Sequence, residues 1–304
     1  MIDGRHDDNG KVDQFRDIIL SEYPDLAAST FELAPVGWDS IAVDVDDRLI
    51  FKFPRNEVAQ KALVREAALL AVVRPRVSMA VPALRIFERG QHLFSLHEKL
   101  KGEHLLTAEY DRLPEDARQR LGDALGQFYT ELHRLDKEQM ADAGAAPIGA
   151  WQSPATLRGK AVPALPAELR GVAEDIIAGF ERLAPDPHGQ TYGFFDGHGW
   201  NMAFDRARSR LNGIYDFADS GFGPVHQEFI YSNFISPDLT ERIAAAYEKA
   251  SGRTLDRCRI AILTGIHRLS ELAELPDDSR HAPAMTHHTV IWLETMSGRG
   301  FAAS

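Results

Sequence analysis

Three oxygen-bearing side chains near the middle of the C-terminal half have types and spacing that could do chemistry. Asp196 and Asn201 stand five apart in Phe194-Phe195-Asp196-Gly197-His198-Gly199-Trp200-Asn201, and Asp216 follows fifteen residues later in Tyr215-Asp216-Phe217. Hard oxygen ligands on a loop, joined by a carboxylate that a β-turn returns, could hold Mg²⁺. That ion takes a few protein oxygens and completes its shell with water and phosphate. An Asp beside such a site can accept a proton from a hydroxyl. Each part alone is common, so the spacing leaves a chance match open.

A second set lies near the N-terminus. Lys52 sits in the otherwise apolar strand Ile50-Phe51-Lys52-Phe53, and Glu66 lies among Leu63, Ala67, Leu69 and Leu70 of the following helix. Lys52 is either an edge residue with its ammonium in water or an inward-pointing cation that needs a counter-ion. Glu66 is either a solvated helix residue paired with Lys61 or Arg65, or the partner that orients Lys52. Gly37, in the turn between two strands, permits a close backbone approach to a ligand.

The elements that must position these groups follow from periodicity. Residues 1–10 are polar and expected to fray. Val12, Phe15, Ile18 and Ile19 mark one face of a short helix. FELAPV, SIAVDV and RLIFKF read as strands, with a tight turn at Asp46-Asp47. A helix runs from an Asn56 cap to Val73, and ALRIFE and HLFSLHEKL add two strands. After a crossing near Glu98–Gly102 the chain turns helical. Leu121, Leu125, Phe128, Leu132 and Leu135 form one stripe, and Leu169, Val172, Ile176, Phe180 and Leu183 form another. Residues 140–165, rich in Ala, Gly and Pro, read as a surface loop. Short strands occupy 192–216, and helices are expected near 238–250, 256–274 and 288–296. The expectation from these elements is an α+β chain with a small antiparallel-sheet lobe, residues 1–100, and a larger, mostly helical lobe, 101–304.

The order Gly-turn, strand Lys, helix Glu, crossing, Asp-x4-Asn, strand, Asp-Phe is the parts order of a protein-kinase-like phosphotransferase. From about Phe31 to Glu274 the sequence resembles the aminoglycoside phosphotransferase and related small-molecule kinase family. FELAPVGWDSIAVDVDDRLIFKFPR is similar to its nucleotide loop and lysine strand, and LGQFYTELHRL to its central Leu-His helix. DGHGWNMAFD and GIYDFADSGFGPVHQEF are similar to its catalytic and metal loops. The resemblance implies a bilobal protein-kinase-like fold that uses Mg²⁺ with ATP or GTP, with nucleotide bound by the lobe 1–100 and catalysis and the acceptor site in the lobe 101–304. It makes Asp196 the catalytic residue, Asn201 and Asp216 the metal ligands, and Lys52 the α/β-phosphate cation held by Glu66. It places the base against the backbone at Glu98–Leu100 and makes Glu228 a structural acid. Most members have His-Gly-Asp where this chain has Phe194-Phe195-Asp196, and Phe194 cannot make the bonds of a histidine. Either the loop loosens or an apolar contact replaces the bond. An active enzyme is the expectation, and a nucleotide-binding pseudokinase or scaffold is the alternative that Phe194 motivates.

Lys and Arg number 34 and Asp and Glu 45, a net charge of −11. This argues against broad binding to nucleic-acid backbone and is compatible with a cationic acceptor, although charge by itself is better explained by solubility. Asp219, Glu271 and Glu274, with Glu228, Asp277 and Asp278, are candidates to line an acceptor site for an amine-rich molecule. A solvated acidic helix end is the other reading. Choline, homoserine, fructosamine-type amines, macrolides and hygromycin-like compounds are acceptors among relatives. His267, His281, His287 and His288 lack metal-ligand spacing. One cysteine, Cys258, excludes an internal disulfide. The N-terminus does not read as a signal peptide and no run of about 18 apolar residues occurs, so a cytoplasmic, membrane-free protein is expected.

Overall fold

The structure is a computed structural model that describes residues 5–34, 40–90, 92–274 and 282–298. In chain order the elements are α1 (Arg5–Glu22), β1 (Phe31–Leu33), β2 (Ser40–Val45), β3 (Leu49–Pro54), α2 (Glu57–Val73), β4 (Arg85–Arg89) and β5 (His92–Glu98). Then come α3 (Thr107–Tyr110), α4 (Glu115–Leu132), α5 (Lys137–Asp142), α6 (Pro154–Thr156), α7 (Val162–Ala164), α8 (Arg170–Arg182) and β6 (Gln190–Gly193). The remainder is β7 (Met202–Asp205), β8 (Arg210–Ile214), β9 (Gly221–Pro224), α9 (Pro237–Ser251), α10 (Arg257–Glu274) and α11 (Ala282–Gly298). Two compact units result, neither contiguous in sequence. The first comprises 1–105, 134–145 and 200–219, and the second 106–133, 146–199 and 220–304. They differ from a single division at residue 100 in that two later segments return to the first unit.

The first unit is built on a five-stranded antiparallel sheet of order β1-β2-β3-β5-β4. The β2–β3 hairpin turns through Asp46 and Asp47, with φ of 57° and 52°. Left-handed values at both central residues suit the right-handed strand twist, and Asp tolerates them. Alternation on β3 sends Phe51 and Phe53 to one face, where they join Val43, Val45, Phe94, Leu96 and Ile19 of α1 in the core. Lys52 therefore belongs to the opposite face, in register with Ser95 of β5. Helix α2 begins where expected: Asn56 Oδ1 accepts the Ala59 N–H at 2.9 Å. Helix α1 begins at Arg5, before its apolar stripe, so residues 5–10 are helical rather than frayed.

In the second unit α4 buries Leu121, Leu125, Phe128 and Leu132. It lies close against α9, because a Cβ on Gly126 would come within 2.6 Å of Ala246 Cβ. A separate core joins Ala173, Ile176 and Ile177 of α8 to Ile262, Ile266 and Leu269 of α10 and Trp292 and Leu293 of α11. The segment 140–165 is not a surface loop throughout. Leu157, Ala161, Val162 and Leu165 lie in this core, on short helical turns. Pro154 and Pro163 mask the pattern in the sequence, yet proline is compatible with a helix's first turn, where its missing N–H has no partner to lose.

Candidate functional site

Within the first unit, Lys52, Glu66 and Asp216 come together. Lys52 Nζ donates to Asp216 Oδ1 at 3.4 Å and lies 3.7 Å from Glu66 Oε2. Of the two alternatives for Lys52, the inward cation with a counter-ion is the one found. Glu66 is 2% exposed, and its second oxygen accepts the Phe217 N–H at 2.9 Å. One carboxylate thus ties α2 to both the strand lysine and the backbone after Asp216. The adjacent Arg65 adds a bond from Nη2 to the Ala218 carbonyl at 2.6 Å. Burial works against charge on Lys52, but Glu66 and Asp216 more than reverse it and hold its pKa above the ordinary value. Burial pushes the Glu66 carboxyl up while Lys52 draws it down. Burial prevails and leaves the Glu66 pKa above its ordinary value, while the ammonium and the Phe217 N–H are the contacts that favour its ionised form.

A β-hairpin delivers the two proposed metal ligands. Strands β7 and β8 pair Met202 with Ile214, and the Tyr215 N–H extends the ladder to the Asn201 carbonyl at 3.0 Å. Asn201 and Asp216 consequently occupy the open end of one hairpin. The hairpin is fixed within its unit by reciprocal bonds between Glu103 and Phe204 and by the Ile214 N–H on the Ala80 carbonyl at 3.0 Å. Asp216 has φ 69°, a left-handed conformation held by the surrounding contacts. An amide oxygen and a carboxylate are the hard, sparse donor set that Mg²⁺ accepts when phosphates and water complete its shell, so these residues fit that ion. Among the described residues no group of three or more His, Cys, Asp and Glu side chains is arranged to hold a metal. His267 packs its ring against those of Trp151, Tyr231 and Phe234.

Glu98, Leu100 and Asp219 also belong to the first unit. Glu98 is exposed at the end of β5, opposite Leu49. Leu100 packs over Gly213 of β8, where a Cβ would lie 2.8 Å from Leu100 Cδ1. Asp219 is exposed at the last position of the unit. Gly37 lies outside the described residues. Sequence reasoning missed Ser95 and His97, which are buried with Ser95 Oγ and His97 Nδ1 unpartnered among the described residues. Burial, reinforced by the Lys52 charge, drops the His97 pKa to about 3, so the imidazole is neutral. The available signal was period-two spacing, which puts Ser95 and His97 on one face of their strand.

Asp196 belongs to the second unit, and the chain passes to the first between Gly199 and Trp200. Its Oδ1 lies 3.0 Å from His198 Nε2. Burial opposes charge on His198, but the Asp196 carboxylate outweighs it and raises the imidazole pKa. Gly197 is required: a side chain there would strike the buried hydroxyl of Tyr129. The fully buried Glu228 accepts the N–H groups of Phe194 and Phe195, both at 2.9 Å. It also meets His133 Nε2 at 3.3 Å. Phe194 is itself fully buried, with its ring edge-on to Phe128 at 6.3 Å.

On α10, Glu271 and Glu274 stand one turn apart. Burial pushes the Glu271 carboxyl up to about 7 despite Arg268 and His198 nearby. Glu274 accepts from Gln152 Nε2 at 2.9 Å. Arg268 lies 4.1 Å over the Phe234 ring, and burial lowers its pKa to about 10 against the pull of Glu271. Asp277, Asp278 and His281 lie outside the described residues.

The model of the phosphotransferase enzyme family matches residues 30–283. The chain belongs to that family. Solved structures agree with the assignment at the level of fold. A GDP complex of an aminoglycoside 2'-phosphotransferase superposes with a TM-score of 0.78 at 20% identity, covering 96% of this chain and 99% of that one. A GDP and kanamycin complex of an APH(2") enzyme gives 0.75 at 19% identity, covering 94% and 99%. A macrolide 2'-phosphotransferase from Brachybacterium faecium gives 0.60 at 19% identity, covering 86% and 92%. The chain therefore has the bilobal, protein-kinase-like α+β fold of these family members.

Proposed function

We propose that this chain is a Mg²⁺-dependent O-phosphotransferase that moves the γ-phosphoryl group of ATP or GTP to a hydroxyl of a small, cationic, aminoglycoside-like molecule. The observation that carries the proposal is the Lys52–Glu66–Asp216 cluster, in a chain of the phosphotransferase family. A strand ammonium kept charged by two carboxylates suits the α/β-phosphates of a nucleotide. Asn201 and Asp216 would hold Mg²⁺, which when bound supplies charge neutralisation at the phosphates. Asp196, oriented by His198, would take the proton of the acceptor hydroxyl as its oxygen bonds to phosphorus. The bond to the nucleoside diphosphate breaks, and that diphosphate leaves. The backbone at Glu98–Leu100 would meet the base. Gly37 would let the loop between the first strands approach the phosphates.

Asp219, Glu271 and Glu274 would receive the ammonium groups of the acceptor. Kanamycin in one structural relative supports an amine-rich acceptor, and the macrolide enzyme among the others supports the wider class of antibiotic hydroxyls. Drug inactivation in the cytoplasm is the setting this reading implies. Among the described residues no helix is long and apolar enough to cross a membrane. The test is nucleoside diphosphate release with Mg²⁺ and ATP or GTP across aminoglycosides, macrolides and small amino-alcohols. Mass spectrometry of the acceptor and an Asp196→Asn control accompany it. Acceptor-dependent release that the substitution abolishes supports the reading. Nucleotide binding without release on any acceptor favours the pseudokinase.

A further inference from the structure

The residue just before Asp196 adopts a backbone that its type disfavours. Phe195 has φ 54°, in the left-handed region that non-glycine residues rarely enter. Two features hold it there. Its ring is buried over β6 and β9, whose glycines leave the space it fills. A Cβ on Gly223 would lie 2.7 Å from Phe195 Cζ, and one on Gly193 would lie 2.8 Å from Cε2. Its N–H is taken by Glu228 Oε1 at 2.9 Å, while Oε2 takes the N–H of Phe194. Glu228 is fully buried and steadied by His133, whose Nδ1 meets Tyr247 Oη at 2.8 Å. Downstream, the His198 N–H closes a turn on the Asp196 carbonyl at 2.9 Å.

We propose that Phe195 is a positioning residue for Asp196, its ring locked in the Gly193–Gly223 slot so that, with Glu228, it enforces the left-handed turn from which Asp196 projects. This rests on the phosphotransferase reading for its catalytic consequence, and on the structure alone for the turn itself. Strained backbone persists only where its surroundings over-determine it, and here an apolar anchor and a carboxylate act on one residue.

Replacement of Phe195 by Ala and by Gly separates positioning from packing. Both empty the slot, but Ala retains the steric penalty of positive φ and Gly does not. The expected result is a kcat reduction of roughly 30-fold or more in Phe195→Ala and roughly three- to tenfold in Phe195→Gly, with nucleotide KM unchanged within about twofold. A role in packing alone would make Gly equal to Ala or worse, and that order overturns the proposal. Amide hydrogen exchange over 193–196 provides a readout independent of turnover. It is expected to quicken in Phe195→Ala and in Glu228→Gln, since a glutamine cannot accept two N–H groups on two oxygens, while protection in α4 and α10 is retained. Unchanged exchange over 193–196 in both variants also overturns it. If the unaltered protein transfers phosphate to no acceptor, the functional reading fails, and the exchange experiment still decides the turn.

Discussion

Replacing Glu66 by glutamine tests the charged cluster most directly. Glutamine keeps the shape and can still accept the Phe217 N–H, but it removes the charge facing Lys52 at 3.7 Å. Lys52 does not lose every partner, because Asp216, whose side chain is half exposed, remains at 3.4 Å. The loss therefore falls below that of stranding a buried charge and nearer that of one charge-assisted interaction, about 1.5–3 kcal/mol. At about 1.4 kcal/mol per tenfold, kcat/KM for nucleotide should fall roughly 10- to 100-fold. Diphosphate release at varied ATP or GTP measures this. The nucleotide-induced rise in thermal midpoint checks binding separately, because a ligand stabilises by an amount set by its concentration over Kd. Nucleotide kcat/KM within twofold of the unaltered protein would refute the claim that Glu66 orients Lys52 for phosphate.

Other outcomes follow from single contacts. Leu157→Ala should destabilise the fold by about 2–5 kcal/mol in urea unfolding, because its side chain is fully buried among α8, α10 and α11. Asn56→Ala should cost about 1 kcal/mol by the same measurement through loss of the α2 cap. Glu271, raised from 4.5 to about 7, keeps in the folded state a proton that the unfolded chain has released. Its stabilising contribution is present below about pH 4.5 and lost as pH rises to about 7. Glu271→Gln should flatten unfolding stability across that window by an amount on the order of 1–3 kcal/mol. His97, lowered to about 3, acts with the opposite sign. The folded state resists protonating it, so stability falls as pH drops from about 6.5, and His97→Asn should lessen that fall.

Much of this protein is legible in local pattern. Period-two alternation with Asp46-Asp47 defines the β2–β3 hairpin, and Asn56 marks the start of α2. The steps of four, three, four from Leu121 define α4. These signals are short-range, so neighbours in sequence suffice to read them. The ordered positions of Lys52, Glu66, Asp196, Asn201 and Asp216 carry the resemblance to the family, whose model matches residues 30–283.

What the tertiary structure alone decided are pairings across long separations. Lys52 and Asp216 are 164 residues apart, and only the return of the β7–β8 hairpin to the first unit lets one carboxylate serve the strand lysine. Leu157 through Leu165 are core rather than loop because α8, α10 and α11 supply an apolar surface that no window of 150–165 contains. The fate of Phe194 and Phe195 was undecidable from their own letters. A buried carboxylate more than thirty residues later and glycines on two separate strands determine it. Backbone conformation at one residue is there set by contacts whose partners are brought near only when the whole second unit has closed.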